Sequence, residues 1–492
     1  MQYASLLATM AVLLATLLLM ATMAVGYNAD GYLRLCGCWR LENSAKKKWR
    51  NMAAFRELSV EQRIKTLESE GALSEDCAQL MLEQLAQSSE TNIPASVANS
   101  MIENQIGRFS LPVGVVRGLK VNGVTRNVLM ATEEPSVIAA ACNGAKIASK
   151  SLENGVVAHS AHYVTSTQIV FEDKDGSVAK KLDEIMRDES KRTTISEVAR
   201  SAHPSIYQRG GGLERAQAAT LNGFAKLTLD INACDAMGAN IANTIGEAVK
   251  TQLESWVGRK ALVAILANSS RAATIAEIHL PVEALVHSAK TAAAGDADGM
   301  RLARRIAALS SLATVDAERA ATHNKGILNG IVAAALASGN DTRALQAAAH
   351  ECAAKSGRYM PLSTWTLQNS GQILYGRIEI PLQIGTVGGA ISSLPMSKVA
   401  LQVAEVENAN DFRNVLAAVG LVQNLAALRA LAGPGIQAGH MRLQAANIAI
   451  ASGAHGDEIQ KVVHALLNEK RSDLNTNSAR MILDNLRKDK NT

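Results

Sequence analysis

Between Ala321 and Gly330 the chain reads ATHNKGILNG and continues as IVAAALASGND, so one lysine, Lys325, sits inside a stretch of small and apolar residues. On a helix, Lys325 and Asn329 lie four apart on one face, with Arg319 nearly two turns upstream. An ammonium taken from water needs a carboxylate nearby. The available ones are Asp341, just past the Gly339 that would stop the helix, and Glu133 or Glu134 in ATEEPSV. The alternative is a lysine that snorkels to solvent. NACDAMGANIANT places Asp235, Gly238, Asn240 and Asn243 where a strand gives way to a helix, and GTVGGA spans Gly385 to Ala390. Glycines let a phosphate approach the backbone and a helix N-terminus offers it free N–H groups, although a tight turn uses the same residues. His440 follows Gly439 in an apolar context, where a lone histidine is more often structural than catalytic.

These residues need elements to position them. LSVEQRIKTLESEG reads as a helix with a capping box at Ser59 and Gln62, a stripe of Val60, Ile64 and Leu67, and a stop at Gly71. A short helix follows Ser74, and SLPVGVV with LKVNGVTRNVLM reads as a hairpin turning at Asn122-Gly123. From about Tyr163 the pattern alternates β-α-β-α-β, which predicts an α+β unit inserted between helical regions. From Pro281 the chain reads as mostly helical and Ala-rich, broken by GRIEIPLQIGTVGGA.

With 492 residues the chain exceeds what one core serves, so two or more domains are expected. Apolar residues are 48% and aromatics only 3%, so Ala, Leu, Ile and Val must fill closely spaced helices. A formal charge of +5, spread along the chain, argues against nucleic acid as a partner. The six cysteines show no metal-ligand spacing and are expected to be reduced thiols; Cys36-Gly-Cys38 reads as a juxtamembrane pair, with redox activity or lipidation the alternative. Residues 1–26 carry no charge and are long enough to span a bilayer, and the basic stretch that follows would keep the body in the cytoplasm. A signal or transit peptide, or a working start near Met52, would instead leave a soluble cytoplasmic or mitochondrial protein.

ATEEPSVIAAA, DAMGANIANTI, RAATHNKGILNGI, SGNDTRALQAAAH, GRIEIPLQIGTVGGA, AAVGLVQNLAALRALAGPGIQAGHM and IENQIGRFSLPVGV together resemble the 3-hydroxy-3-methylglutaryl-coenzyme A (HMG-CoA) reductase family, from about Phe55 to Leu483. The EEPS form resembles its class II branch. The resemblance implies a four-electron reduction of a thioester to mevalonate and free coenzyme A. Lys325 would stabilise the oxyanion, Glu134 would protonate the mevaldehyde oxygen, Asp341 would join both in one network, and His440 would protonate the departing thiolate. Ser136, Arg319 and Asn329 would hold the hydroxymethylglutaryl group.

Asp235, Met237, Gly238, Asn240 and Asn243 fall on the family's dinucleotide motif, with Asn268 in LANSSR where the family more often reads SNLAD. In RGGGLERAQA, Arg215 stands where NAD-preferring members carry an acidic residue, which implies NADPH, with NADH open if a one-residue shift puts Glu214 in the pocket. The implied fold is α+β: a mainly helical large substrate domain (55–160 and 268–437), an inserted small ferredoxin-like cofactor domain (161–267) and a C-terminal helical flap (438–492), behind a membrane or signal segment (1–26) and a basic linker (27–54). Active sites would lie at the interface of a homodimer or higher homo-oligomer. Catabolic oxidation of mevalonate with NAD, or an inactive membrane-anchored scaffold, are the competing readings.

Overall fold

Ser59 caps helix α1 (Val60–Ser69) by the expected reciprocal pair: its Oγ accepts from the Gln62 amide, and the Gln62 side chain accepts from the Ser59 amide. Ile64 and Leu67 are buried, but Val60, the first residue of the helix, is 49% exposed and drops out of the expected stripe. The structure, a computed structural model, describes residues 55, 58–85, 93, 95–286, 298–433, 445–468 and 475–488. The apolar segment 1–26, the basic linker 27–54, Cys36, Cys38 and His440 lie outside the described residues. The chain divides into two units, Met1–Glu70, which holds α1, and Gly71–Thr492, which holds every element below.

The second unit begins with α2 (Glu75–Leu85), where Ser74 Oγ accepts from the Cys77 amide, and α3 (Ala95–Met101). Strands β1 (Val113–Val121) and β2 (Val124–Ala131) form the hairpin at Asn122-Gly123. Both turn residues have positive φ, 51° and 80°, as a two-residue hairpin turn demands. Helix α4 (Pro135–Ala148) and strand β3 (Val157–Ser160) follow.

The inserted unit runs β4 (Thr165–Glu172), α5 (Ser177–Arg187), α6 (Glu189–Ala202), α7 (Pro204–Gln208), β5 (Gly212–Leu221), β6 (Phe224–Asn232), α8 (Ala239–Val257) and β7 (Val263–Ala267). Its sheet has the order β5-β6-β4-β7 with every pair antiparallel. The simpler β-α-β-α-β reading misses β5, α6 and α7. Strand β5 is an edge strand, mostly exposed and rich in charged residues and alanine, so it carries little strand signal of its own and forms by pairing with β6. Ile169, Phe171, Leu227, Leu229 and Ile231 line the sheet's inner face and join Val178, Leu182, Ile245 and Val249 of the covering helices in one core. The alternate positions, Ser166, Gln168, Lys226, Thr228 and Asp230, are polar.

The larger part adds β8 (Thr274–Pro281), α9 (Gly299–Val315), α10 (Ala317–Ala337), α11 (Thr342–Ala354), β9 (Ser363–Gln368), β10 (Ile373–Ile380), α12 (Pro395–Val403) and α13 (Ala409–Ala432). A second antiparallel sheet has the order β3-β8-β10-β9; β10 overlaps the expected break at GRIEI, and β9 corrects the reading of residues 363–368 as helix. Strand β8 alternates buried and half-buried residues along its whole length, a period-two signal that was there to read. Helix α13 is long and apolar enough to cross a membrane, but 83% of its most apolar stretch is buried within the protein, so its apolarity serves the core. Its core partners include Ile327 and Ile331 of α10 and Val137 and Ala141 of α4. Trp365, Phe171 and Phe412 are among the largest fully buried side chains, and aliphatic residues and alanine supply most of the rest. Helices α14 (Asp457–Asn468) and α15 (Thr476–Lys488) share a small core of Val462, Leu466, Ala479 and Leu483.

Candidate active site

Asp316 starts α10 by accepting from the amides of Glu318 and Arg319. From there the helix turns His323, Asn324, Ile327 and Leu328 into the protein, Arg319 and Asn329 are half-buried, and Lys325 is exposed. Of the two readings of the lysine, a buried ammonium or one that reaches solvent, the structure shows the second. At 3.6 residues per turn its neighbours occupy the inward face and Lys325 points away from it. The Lys325 side chain makes no hydrogen bond or ion pair with a described residue.

The two carboxylates proposed as its partners serve their own helices. Glu134 caps α4: its carboxylate accepts from the Ser136 amide (3.2 Å) and the Ser136 hydroxyl (2.7 Å), while the Glu134 amide donates to Thr132 Oγ1. Glu134 and Ser136 are thus brought together, and Glu133 is exposed. Asp341 caps α11, accepting from the amides of Arg343 (2.9 Å) and Ala344 (3.2 Å), and forms a two-point pair with the Arg343 guanidinium, 3.1 Å at each contact. Partial burial pushes the Asp341 carboxyl up, but Arg343 and the helix amides outweigh it and hold the group below the usual carboxylate range. The Lys325–Glu134–Asp341 network is not formed within one chain.

The glycine loops do meet. The Asp235 carbonyl accepts from the Thr386 amide (2.8 Å), Ala236 bridges to Val387, and Asn340 Oδ1 accepts from the Gly385 amide (2.8 Å). A Cβ on Gly385 would come within 2.6 Å of the Met237 nitrogen, so only glycine permits this approach. SGND, GTVGGA and NACDAMG, far apart in sequence, form one junction. Asp235 Oδ1 also accepts from the Ala409 amide at the start of α13, and the Met237 carbonyl accepts from Thr165 Oγ1. Gly238, with φ of 92°, begins α8 without a side-chain cap. Asn240 is exposed, whereas Asn243 Oδ1 accepts from the Leu266 amide and fastens α8 to β7. Asn268 is exposed just beyond β7.

A bulge in β5 separates the two candidate readers of the cofactor ribose: Leu213 pairs with Ile231 and Arg215 with Asp230, leaving Glu214 as the extra residue. Arg215 Nε donates to Asp230 Oδ2 at 2.7 Å, and Ser166 Oγ donates to the other oxygen at 2.6 Å. The Asp230 side chain is 4% exposed while that of Arg215 is 50% exposed, so the guanidinium is pinned from beneath and open above. Glu214 instead faces His162 and Asn232.

Sequence reasoning missed the groups that hold these pieces. Arg413, buried in α13, donates to the carbonyls of Leu382 and Ile384 just ahead of GTVGGA and lies 4.1 Å over the Tyr163 ring. Burial lowers its pKa to about 10, against the pull of Tyr163 and Asp235. Its signal was an arginine near the start of an otherwise apolar helix, in NDFRNVLAAVGL. Beside Lys325, His323 Nε2 lies 2.7 Å from Ser363 Oγ, and Asn324 bonds the Met360 carbonyl and the Leu362 amide.

Comparison with known proteins accounts for this arrangement. The sequence model of the hydroxymethylglutaryl-coenzyme A reductase family matches residues 59–445. A 3-hydroxy-3-methylglutaryl-coenzyme A reductase of Archaeoglobus fulgidus is 36% identical over 442 residues, 88% of this chain and 94% of the relative. A probable reductase of Borreliella burgdorferi is 39% identical over 70% of this chain and 76% of its own length. Among solved structures, a Streptococcus pneumoniae reductase superposes with a TM-score of 0.71 at 32% identity, covering 88% of this chain and 99% of that one. A class II enzyme of the same organism, bound to NADPH in open conformations, gives 0.69 at 33% identity over 87% of this chain and 100% of that one. With the fold of the class II enzymes and a match through both glycine loops and the lysine helix, the chain belongs to the HMG-CoA reductase family, the oxidoreductases that reduce HMG-CoA to mevalonate.

Proposed function

We propose that this chain carries out its thioester reduction with NADPH, at a site that two copies of the chain complete between them. The observation that carries the reading is Lys325, an exposed cation without a partner among the described residues, on a helix whose neighbouring polar groups are tied down. A cation left free stabilises the oxyanion formed at the substrate carbonyl, most strongly once a second subunit excludes water. Glu134 gives its proton to the mevaldehyde oxygen, Asp341 tunes the pair in the assembled site, and His440 protonates the departing coenzyme A thiolate. Ser136, Arg319 and Asn329 hold the hydroxymethylglutaryl group. Ile102, Ile106 and Phe109, 61%, 102% and 91% exposed on a stretch ahead of β1, are apolar surface that a second copy would cover.

On this reading, residues 161–267 are assigned to a ferredoxin-like cofactor domain, 55–160 with 268–437 to a substrate domain and 438–492 to a flap. The residues present fit a dinucleotide: the uncapped start of α8 offers amides to a pyrophosphate, and a Cβ at Gly388 or Gly389 would meet nothing within 4 Å, so the loop there is open. NADPH supplies the hydrides when bound, and Arg215 is placed to take its 2′-phosphate. Asp235 and Met237 shape the loop beneath; Asn240 and Asn268 are free to contact the cofactor, and Asn243 acts through the position of α8. Residues 1–26 anchor the chain with its body in the cytoplasm, on the uncharged length and basic flank. Carbonate extraction of membranes with and without those residues checks the anchor.

The test of the function follows cofactor absorbance with HMG-CoA, using NADPH and NADH in parallel on the purified chain. Faster turnover with NADPH is expected. Faster turnover with NADH would remove the cofactor assignment, and turnover with neither would remove the reading.

A further inference from the structure

The outer face of the sheet β5-β6-β4-β7 is polar where the inner face is core. Ser166 of β4 and Thr228 of β6 are buried on it, and between them and the end of α11 lies a cavity of about 470 Å³. Its walls carry three cations, Lys226, Arg271 and Lys355, and one carboxylate, Glu351. Lys226 is half-buried and Lys355 exposed, and neither side chain makes a hydrogen bond or ion pair with a described residue. Arg271 donates to Gln217 Oε1 at 3.0 Å and stands 4.0 Å from Asp230, the carboxylate that Arg215 and Ser166 already satisfy. The cavity therefore keeps a positive excess beside an arginine pinned on the same carboxylate. A plain solvated sheet face would not enclose buried hydroxyls under three cations.

We infer that this cavity binds the phosphorylated ribose of an adenosine nucleotide, with Lys226 and Lys355 as its phosphate contacts and Arg271 as the link to Arg215. The inference rests on the reading that the chain binds both NADPH and HMG-CoA. Each carries such a group, a 2′-phosphate on the cofactor and a 3′-phosphate on coenzyme A, so the same chemistry has two sources. An ammonium suits a phosphate as a point charge that gives up part of its hydration for a dianion.

Equilibrium binding of NADP⁺, NAD⁺, coenzyme A and dephospho-coenzyme A to the full chain separates them. The variants are Lys226→Ala, Lys355→Ala and the double, each checked for an unchanged thermal transition. Loss of one phosphate contact should weaken one phosphorylated ligand by about tenfold and leave its dephosphorylated counterpart within about twofold. A changed NADP⁺/NAD⁺ ratio assigns the cavity to the cofactor; a changed coenzyme A/dephospho-coenzyme A ratio assigns it to the substrate. Wild-type binding of both nucleotides with neither ratio altered in any variant overturns the inference alone. A wild-type chain that binds neither overturns the functional reading and the inference with it.

Discussion

Around α10, the polar side chains that enter the protein are answered by the chain itself. His323 meets Ser363, Asn324 meets the backbone of residues 360 and 362, and Ser363 passes a hydrogen bond to Asn424, which also accepts from the Trp365 indole. On the outer face of the small sheet Asp230 is answered as closely, while the side chain of Lys226, on the same strand, has no hydrogen bond or ion pair with a described residue. The difference follows from hydration. A buried polar group without a partner costs stability, whereas a half-exposed cation keeps its water until a ligand replaces it. Partnered groups hold the fold, and unpartnered cations are where a ligand adds most. Lys325 lies on the fold-holding helix but belongs to the second kind.

The sharpest way to break that comparison is Lys325→Ala. It should lower kcat for thioester reduction by about 10²–10³-fold with an unchanged thermal transition, since the lysine is exposed and its side chain has no hydrogen bond or ion pair with a described residue. Near-normal turnover in steady-state assays would place Lys325 with solvent alone.

The opposite behaviour is expected two residues earlier. Burial, opposed by Ser363 and assisted by Arg319, lowers the His323 pKa from 6.5 to about 4. The unfolded chain then binds the extra proton between those values. His323 therefore contributes stability that is complete above about pH 6.5 and lost as pH falls toward 4, by up to about 3 kcal/mol. Denaturant titrations of wild type and His323→Gln at pH 7 and pH 5 should show the variant losing that part of the slope, and identical slopes would remove the histidine from the account.

Arg215→Asp sharpens the other region. Binding isotherms should show NADP⁺ weakened by about tenfold or more relative to NAD⁺, because a carboxylate would then stand beside Asp230 and repel the phosphate. An unchanged ratio would point to Glu214, across the bulge, as the reader. The smallest effect is expected at Asn243→Ala, which loses the bond to the Leu266 amide and should cost about 1 kcal/mol in chemical denaturation while NADP⁺ affinity holds. Weaker NADP⁺ binding without lost stability would return Asn243 to the cofactor's direct contacts.

The candidate residues were legible as motifs, but not what each one touches. Glu134 and Asp341 read as partners for a lysine, and both are N-caps, a role that the acidic residues before PSV and TRA also announce. Arg413 drew no notice because an arginine in an apolar helix says nothing about which carbonyls it reaches. Strand β5 escaped for a related reason: an edge strand borrows its order from a neighbour, so RAQAATL has little pattern of its own.

The sequence by itself determined what closes within a few residues: the Ser59–Gln62 capping box, the Asn122-Gly123 turn, the periodicity of α8 and α10, and the motif order that places the chain in its family. Only the tertiary structure decided that Asp235 would serve the start of α13, 174 residues away, that Gly385 would lie against the Met237 backbone, and that Lys325 would face outward, away from the described carboxylates Glu134 and Asp341 that cap their own helices. Helical and turn hydrogen bonds span three or four residues and are written into local residue types. Contacts across the chain depend on which surfaces pack, and packing is settled by the sum of many weak contacts that no single motif contains.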